Sequence, residues 1–202
     1  MSPLEPQAKE TPRCGWCAGV PEFLDYHDYE WGYPVADDRR LFEKICLESF
    51  QAGLSWRTIL NKRDNFRAAL AHFDFYQLAN FQPQDIEALL QNSGIVRHRG
   101  KLEAVINNAG RACELVEEVG SLAAFFWQFE PEAGQLPEPQ TQTMSPASHA
   151  LSKALKKRGW KFVGPTTVYA FMQAMGLIND HATSCAFREK AEAARRAFVR
   201  PC

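Results

Sequence analysis

One carboxylate stands where the pattern asks for an apolar side chain. Between Asp38 and Trp56, in DRRLFEKICLESFQAGLSW, residues Leu41, Ile45, Glu48 and Ala52 recur at i, i+4, i+7 and i+11, the spacing of one helix face. Glu48 either reaches water at an exposed edge of that stripe or is buried. If buried, it must be paired, protonated or lining a cavity. Trp56 follows on the same stretch, and Trp16, Tyr26 and Trp31 crowd the segment before it. Rings of this kind usually pack a core, but they also stack on flat ligands such as nucleobases.

A second set of residues has metal-binding character. His181 and Cys185 are four apart, so on one helical turn they would face the same point, and Cys14 with His27, thirteen apart, could complete a tetrahedral Cys2His2 set for Zn2+. Such an ion would tie the N-terminal segment to the C-terminal one as a closed structural site. Spacing alone favours the plainer account, an ordinary His and Cys packed on a helix. Cys14-Gly-Trp-Cys17 has the spacing of a redox dithiol, yet the strand and βαβ context of such enzymes is missing. Cys46 and Cys113 fall among helical apolar residues and read as buried thiols, which argues against a disulfide scaffold.

The third feature is basic. From Ser148 to Gly176 the sequence reads helix, tight turn, helix: Ser148 as N-cap, Leu151 and Leu155 on the inner face, Lys153, Lys156, Lys157 and Arg158 outside, Gly159 as stop. Gly164 then turns the chain and Pro165 opens the second helix, whose free N–H groups suit a phosphate oxygen. No Asp or Glu occurs from Pro139 to Asn179. A solvated lysine face on an antiparallel helix pair is the plainer alternative. Arg97 to Lys101 forms a second basic turn, open to the same two readings.

These groups must be held by helices. Apart from the loop-rich wall at 13–38, with at most a short helix, helical patterns begin at an Asp37 or Asp38 cap and recur at 64–72, 75–80, 83–92, 100–119 and 121–129, with a loop at 53–61 and an irregular connection at 131–146. Val, Ile and Thr never alternate with period two, so the fold class is all-α. The expected organisation is a flexible leader at 1–12, one domain at 13–187 and a C-terminal tail at 188–202. At 202 residues and 46% hydrophobic content the chain can bury a full core. A formal net charge of −1 excludes a general nucleic-acid coat protein and leaves room only for a local basic patch. No apolar run has spanning length, and the polar, Pro-rich N-terminus lacks a signal pattern; a soluble cytoplasmic monomer without membrane contact is expected.

Together, RCGW, YHDYEWG, ICLES, QAGLSW, GIVRHRGK, LSKALKKRG, KFVG and NDHATSC closely resemble the DNA-3-methyladenine glycosylase I family, within the helix-hairpin-helix glycosylases, from Arg13 to about Cys185. The resemblance implies an all-α fold, excision of 3-methyladenine from alkylated double-stranded DNA, and one structural zinc on Cys14, His27, His181 and Cys185. It places Glu48 and Tyr26 as hydrogen-bonding groups of the base pocket, with Glu48 as the catalytic residue. Trp56 becomes the stacking surface, and Trp16 and Trp31 the lining. Gln51, Gly53 and Leu54 become the segment pressed into DNA where the base has flipped out. Lys157, Lys161, Gly164 and Thr166 are the expected backbone grip of the hairpin at about 148–176, read from the basic turn itself.

Because N3 methylation makes adenine cationic and its glycosidic bond weak, such an enzyme needs less acid catalysis than one removing a neutral base. No lysine is placed to suggest a Schiff base, so a monofunctional glycosylase without lyase activity is expected. Two departures stand out. Phe162 occupies the place of the first Gly of the common Gly-h-Gly hairpin, h being apolar. The Asp found beyond many such hairpins corresponds to Asp180, beside a proposed zinc ligand, where a role orienting the metal is expected. The rival readings are a non-catalytic damaged-DNA-binding module and a thiol oxidoreductase.

Overall fold

The computed structural model describes residues 11–202, so most of the expected leader lies outside the described residues. The chain forms α1 (Leu24–Tyr29), α2 (Asp38–Gln51), α3 (Trp56–Asn61), α4 (Arg63–Ala69), α5 (Phe75–Leu78), α6 (Pro83–Gln91), α7 (Arg99–Val119), α8 (Leu122–Trp127), α9 (Pro146–Lys157), α10 (Pro165–Ala174) and α11 (Arg188–Ala197), with short 3-10 turns between. The described residues contain no strand, in keeping with the all-α reading, and none of their helices is long and apolar enough to cross a membrane.

Helix α2 is the centre. The Asp37 carboxylate caps its N-terminus by accepting from Arg40 N, and ten consecutive residues from Leu41 to Phe50 are buried. It packs on α7, α8 and α10, with Leu41, Phe42, Ile45 and Phe50 wholly inaccessible. Replacing Phe50 with Ala would cost about 3–5 kcal/mol. The Asp38 carboxylate also accepts from the N–H groups of Leu122 and Ala123, fixing α8 to the start of α2.

The N-terminal wall is sewn onto the end of α10, through Gly32 N–H to Ala174 O and Val35 N–H to Met175 O. Gly176 makes this approach possible: at φ +78 a Cβ there would lie 2.5 Å from Pro34 N.

Local expectations needed correction in several places. The expected loop at 53–61 contains α3, whose N-cap Ser55 accepts from Thr58 N. Helix α9 begins three residues earlier than expected, because Ser145 is the N-cap and Ser148 completes a reciprocal capping box with it. The expected tail at 188–202 contains α11, packed back on the domain. Its Arg195 donates to Gly176 O at 2.9 Å and pairs with Glu130 at 2.7 Å.

Candidate active site

The last turns of α2 border a cleft of about 710 Å3, lined among others by Trp16, Tyr26, Trp31, Glu48, Trp56 and Tyr169. Glu48 is 6% exposed, so it belongs to the buried alternative, and the group that compensates it is Lys44, one helical turn earlier. The Lys44 ammonium sits 2.7 Å from Glu48 Oε1, donates to the Tyr26 hydroxyl oxygen at 2.6 Å and lies 3.5 Å from the centroid of Trp56. The i, i+4 spacing from Glu48 on one helix was the available signal for it.

A lysine does stand beside the carboxylate, although not in a place that suggests a Schiff base. Lys44 borders a separate cavity of about 30 Å3 behind Tyr26 and Trp56, not the main cleft. Burial pulls its pKa down, while Glu48 opposes the fall. A Schiff base needs a free amine lone pair, and the Lys44 nitrogen is instead committed as an ion-paired donor.

The remaining groups of the cleft leave polar hydrogens uncommitted. Burial pushes the Tyr26 pKa well up, so its hydroxyl is neutral. With its oxygen already accepting from Lys44, the Tyr26 proton is left for another acceptor. Trp16 Nε1, Trp56 Nε1 and the Tyr169 hydroxyl are buried without a hydrogen-bond partner among the described residues. On the opposite wall, Asp180 accepts from Gln140 N at 2.9 Å and from Gln173 Nε2 at 2.6 Å; burial raises its pKa.

Behind the aromatic wall, Cys14, His27, His181 and Cys185 converge, all buried, with their ligand atoms within 4.8 Å of one another. His27 Nε2 and His181 Nδ1 each lie 3.6 Å from Cys185 Sγ, and His181 Nδ1 lies 3.6 Å from Cys14 Sγ. A tetrahedral ion with Zn–S near 2.3 Å and Zn–N near 2.0 Å has S···N edges of about 3.5 Å, so the donor set fits zinc. The other nitrogen of each histidine is also held. His27 Nδ1 meets Asp28 at 2.7 Å and His181 Nε2 meets Trp31 O at 3.1 Å, which fixes the nitrogen each ring presents.

Asp28 and the Trp31 carbonyl thus do what was expected of Asp180, which contacts neither histidine nitrogen. Burial drives the Cys14 thiol to about 12 and His181 down to about 4. His181 and Cys185 converge from irregular turns and not from a helix. Cys17 lies outside the cluster, its thiol donating to Cys14 O.

At the mouth of the cleft, Gln51 lines the wall, Gly53 adopts φ +81 and Leu54 is 42% exposed. Thr166 lines the mouth from the other side, at the start of α10. Lys157, Lys161 and Thr166 are exposed. Gly164 has φ −65, and a Cβ there would meet nothing within 4 Å, so neither backbone nor packing requires glycine. Phe162 takes the left-handed conformation that a first hairpin Gly would take, φ +56. It is held by Ser49 Oγ donating to its carbonyl and by the edge of His98.

Residues 16–189 match the methyladenine glycosylase family model. DNA-3-methyladenine glycosylase 1 of Escherichia coli K12 is 49% identical over 177 residues, covering 86% of this chain and 95% of the relative. A crystal structure of 3-methyladenine DNA glycosylase I superposes with TM-score 0.81 at 52% identity, covering 87% of this chain and 98% of that one. A variant of a 3-methyladenine DNA glycosylase I in complex with 3-methyladenine superposes with TM-score 0.81 at 36% identity, covering 87% and 97%.

Proposed function

Because the chain belongs to the methyladenine glycosylase family, we propose that it excises 3-methyladenine from alkylated double-stranded DNA, with Glu48 as catalytic residue and Tyr26, Trp56, Trp16 and Trp31 forming the base pocket. The observation that carries the residue assignment is the Glu48 carboxylate, buried at the cleft with one oxygen held by Lys44 and aromatic rings around it. Its other oxygen accepts from the amino edge of the flipped base. Tyr26 donates its free proton to a ring nitrogen, and Trp56 supplies a stacking face.

Charge explains the selectivity. The methylated base is a cation, attracted by the carboxylate and by aromatic faces in a site with little water. As the glycosidic bond breaks, its electron pair neutralises the base. Water oxygen bonds to the sugar carbon and releases its proton to solvent. Glu48 favours the charge that develops on the sugar, and no covalent enzyme intermediate is needed.

Zinc is the ion we assign to Cys14, His27, His181 and Cys185. It supplies structural cross-linking, since the four protein ligands leave no open position. His27 neighbours Tyr26 on α1 and packs against Trp16, so the same cluster fixes the pocket wall. Lys157, Lys161, Gly164 and Thr166 hold the DNA backbone, and Gln51, Gly53 and Leu54 fill the gap left by the flipped base. The test is release of free 3-methyladenine from methylated duplex DNA by the purified protein. Release is expected, and its absence from well-folded protein would refute the activity.

A further inference from the structure

The second basic turn, Arg97 to Lys101, is not explained by the pocket or the hairpin. Its lysine is not a surface charge. Lys101 is 7% exposed, and its ammonium donates to Phe50 O at 2.9 Å and Ala52 O at 2.5 Å. Those carbonyls end α2 immediately after Glu48 and open the Gln51–Leu54 turn. A cation there satisfies carbonyls that have no helical partner and complements the helix dipole.

The same helix, α7, also holds the hairpin. Asn107 donates to Gly159 O at 2.9 Å, and Asn108 donates to Lys161 O at 2.9 Å while accepting from Lys161 N at 2.8 Å. His98, the N-cap of α7, lies edge-on to Phe162. One rigid helix thus grips the loop between α9 and α10 on one side and the end of α2 on the other.

We propose that Lys101 and Asn108 are positioning residues that make α7 a bracket, fixing the register between the phosphate grip of the hairpin and the turn that enters the DNA. Binding energy gathered at the backbone is useful to catalysis only if the flipped base reaches Glu48 at the right depth, and an error of about 1 Å can cost about 100-fold. The bracket sets that depth without touching DNA. It rests on the proposed role of Gln51–Leu54 in the DNA.

The experiment compares Lys101→Met, Lys101→Arg, Asn108→Leu and Leu54→Ala with wild type. Four readouts are taken: thermal stability, affinity for free 3-methyladenine by tryptophan fluorescence, single-turnover excision from methylated duplex, and the salt dependence of duplex binding. For folded Lys101→Met and Asn108→Leu the bracket gives about a 10-fold or larger loss of duplex excision. Free-base affinity stays within about twofold and the salt slope is unchanged, because no phosphate contact is lost. Lys101→Arg, which keeps a cationic donor, recovers part of the loss.

A salt slope reduced by about one in Lys101→Met would make Lys101 a phosphate ligand and overturn the proposal. So would a parallel fall in free-base affinity, which would mark a merely structural support of the pocket, or unchanged excision. Leu54→Ala separates the two layers. If it excises like wild type, the role of the turn in DNA fails. If it is impaired while Lys101→Met is not, only the bracket fails.

Discussion

The hairpin and the base pocket use charge in opposite ways. Lys157, at the end of α9, and Lys161, in the link after it, are exposed to water, and the phosphate contacts proposed for them would be screened by salt and blind to sequence. Glu48 and Lys44 are 6% and 5% exposed and locked together at 2.7 Å, where an unpaired charge is costly and a correctly placed one is strong. Grip therefore needs many weak and replaceable groups, whereas choice needs a few that cannot move. The difference can be attacked from either side.

The largest effect is expected where the rigidity of the pocket originates. Cys185→Ala removes one of four converging ligands. Metal content should fall from about one zinc per chain to a small fraction by elemental analysis, with a loss of several kcal/mol in denaturant unfolding. A variant that keeps its zinc and stability would separate the cluster from the wall it is thought to brace.

Next comes Glu48→Gln, which is nearly isosteric but uncharged. Excision of 3-methyladenine should fall about 10- to 100-fold in single-turnover assays, toward the lower end of what loss of an electrostatic partner costs, because the cationic base is already a good leaving group. Double replacement of Lys157 and Lys161 by Ala should reduce the slope of log affinity against log salt by about two, measured by duplex titration, without changing which base is released.

The smallest effect has the opposite sign. Phe162→Gly relieves a left-handed backbone at a ring that is 42% exposed. Stability should rise by about 1 kcal/mol in chemical denaturation, since glycine carries no Cβ penalty there.

What could be read in advance follows the same division. The register of α2 and the misfit of Glu48 were legible because a 3.6-residue period is a local property, as were Gly159, at φ +80, and Pro165, which mark the turn by backbone chemistry alone. Arg195 was not legible: REKAEAARRA has no strong apolar stripe, and the burial of Arg195 depends on Glu130 and Gly176 O, remote in sequence. His181 and Cys185 meet through irregular turns, so the helical-turn argument placed them together by the wrong geometry. Lys44 and Asp28 carry a weaker signal, their places beside Glu48 and His27 at i−4 and i+1, because nothing local shows that those partners are buried. A buried charge implies a partner, and here both partners lie within one helical turn of it in sequence.

The most direct test of grip against choice is one salt titration of single-turnover excision on methylated duplex, at saturating and sub-saturating protein. It uses wild type, Glu48→Gln and the Lys157→Ala, Lys161→Ala double variant. At saturating protein the lysine variant should regain the wild-type rate, and its sub-saturating rate should depend less on salt. Glu48→Gln should keep the wild-type salt slope and remain slow at every concentration. A lysine variant that stays slow at saturation, or a Glu48→Gln protein that recovers there, would contradict the division of labour between the hairpin and the pocket.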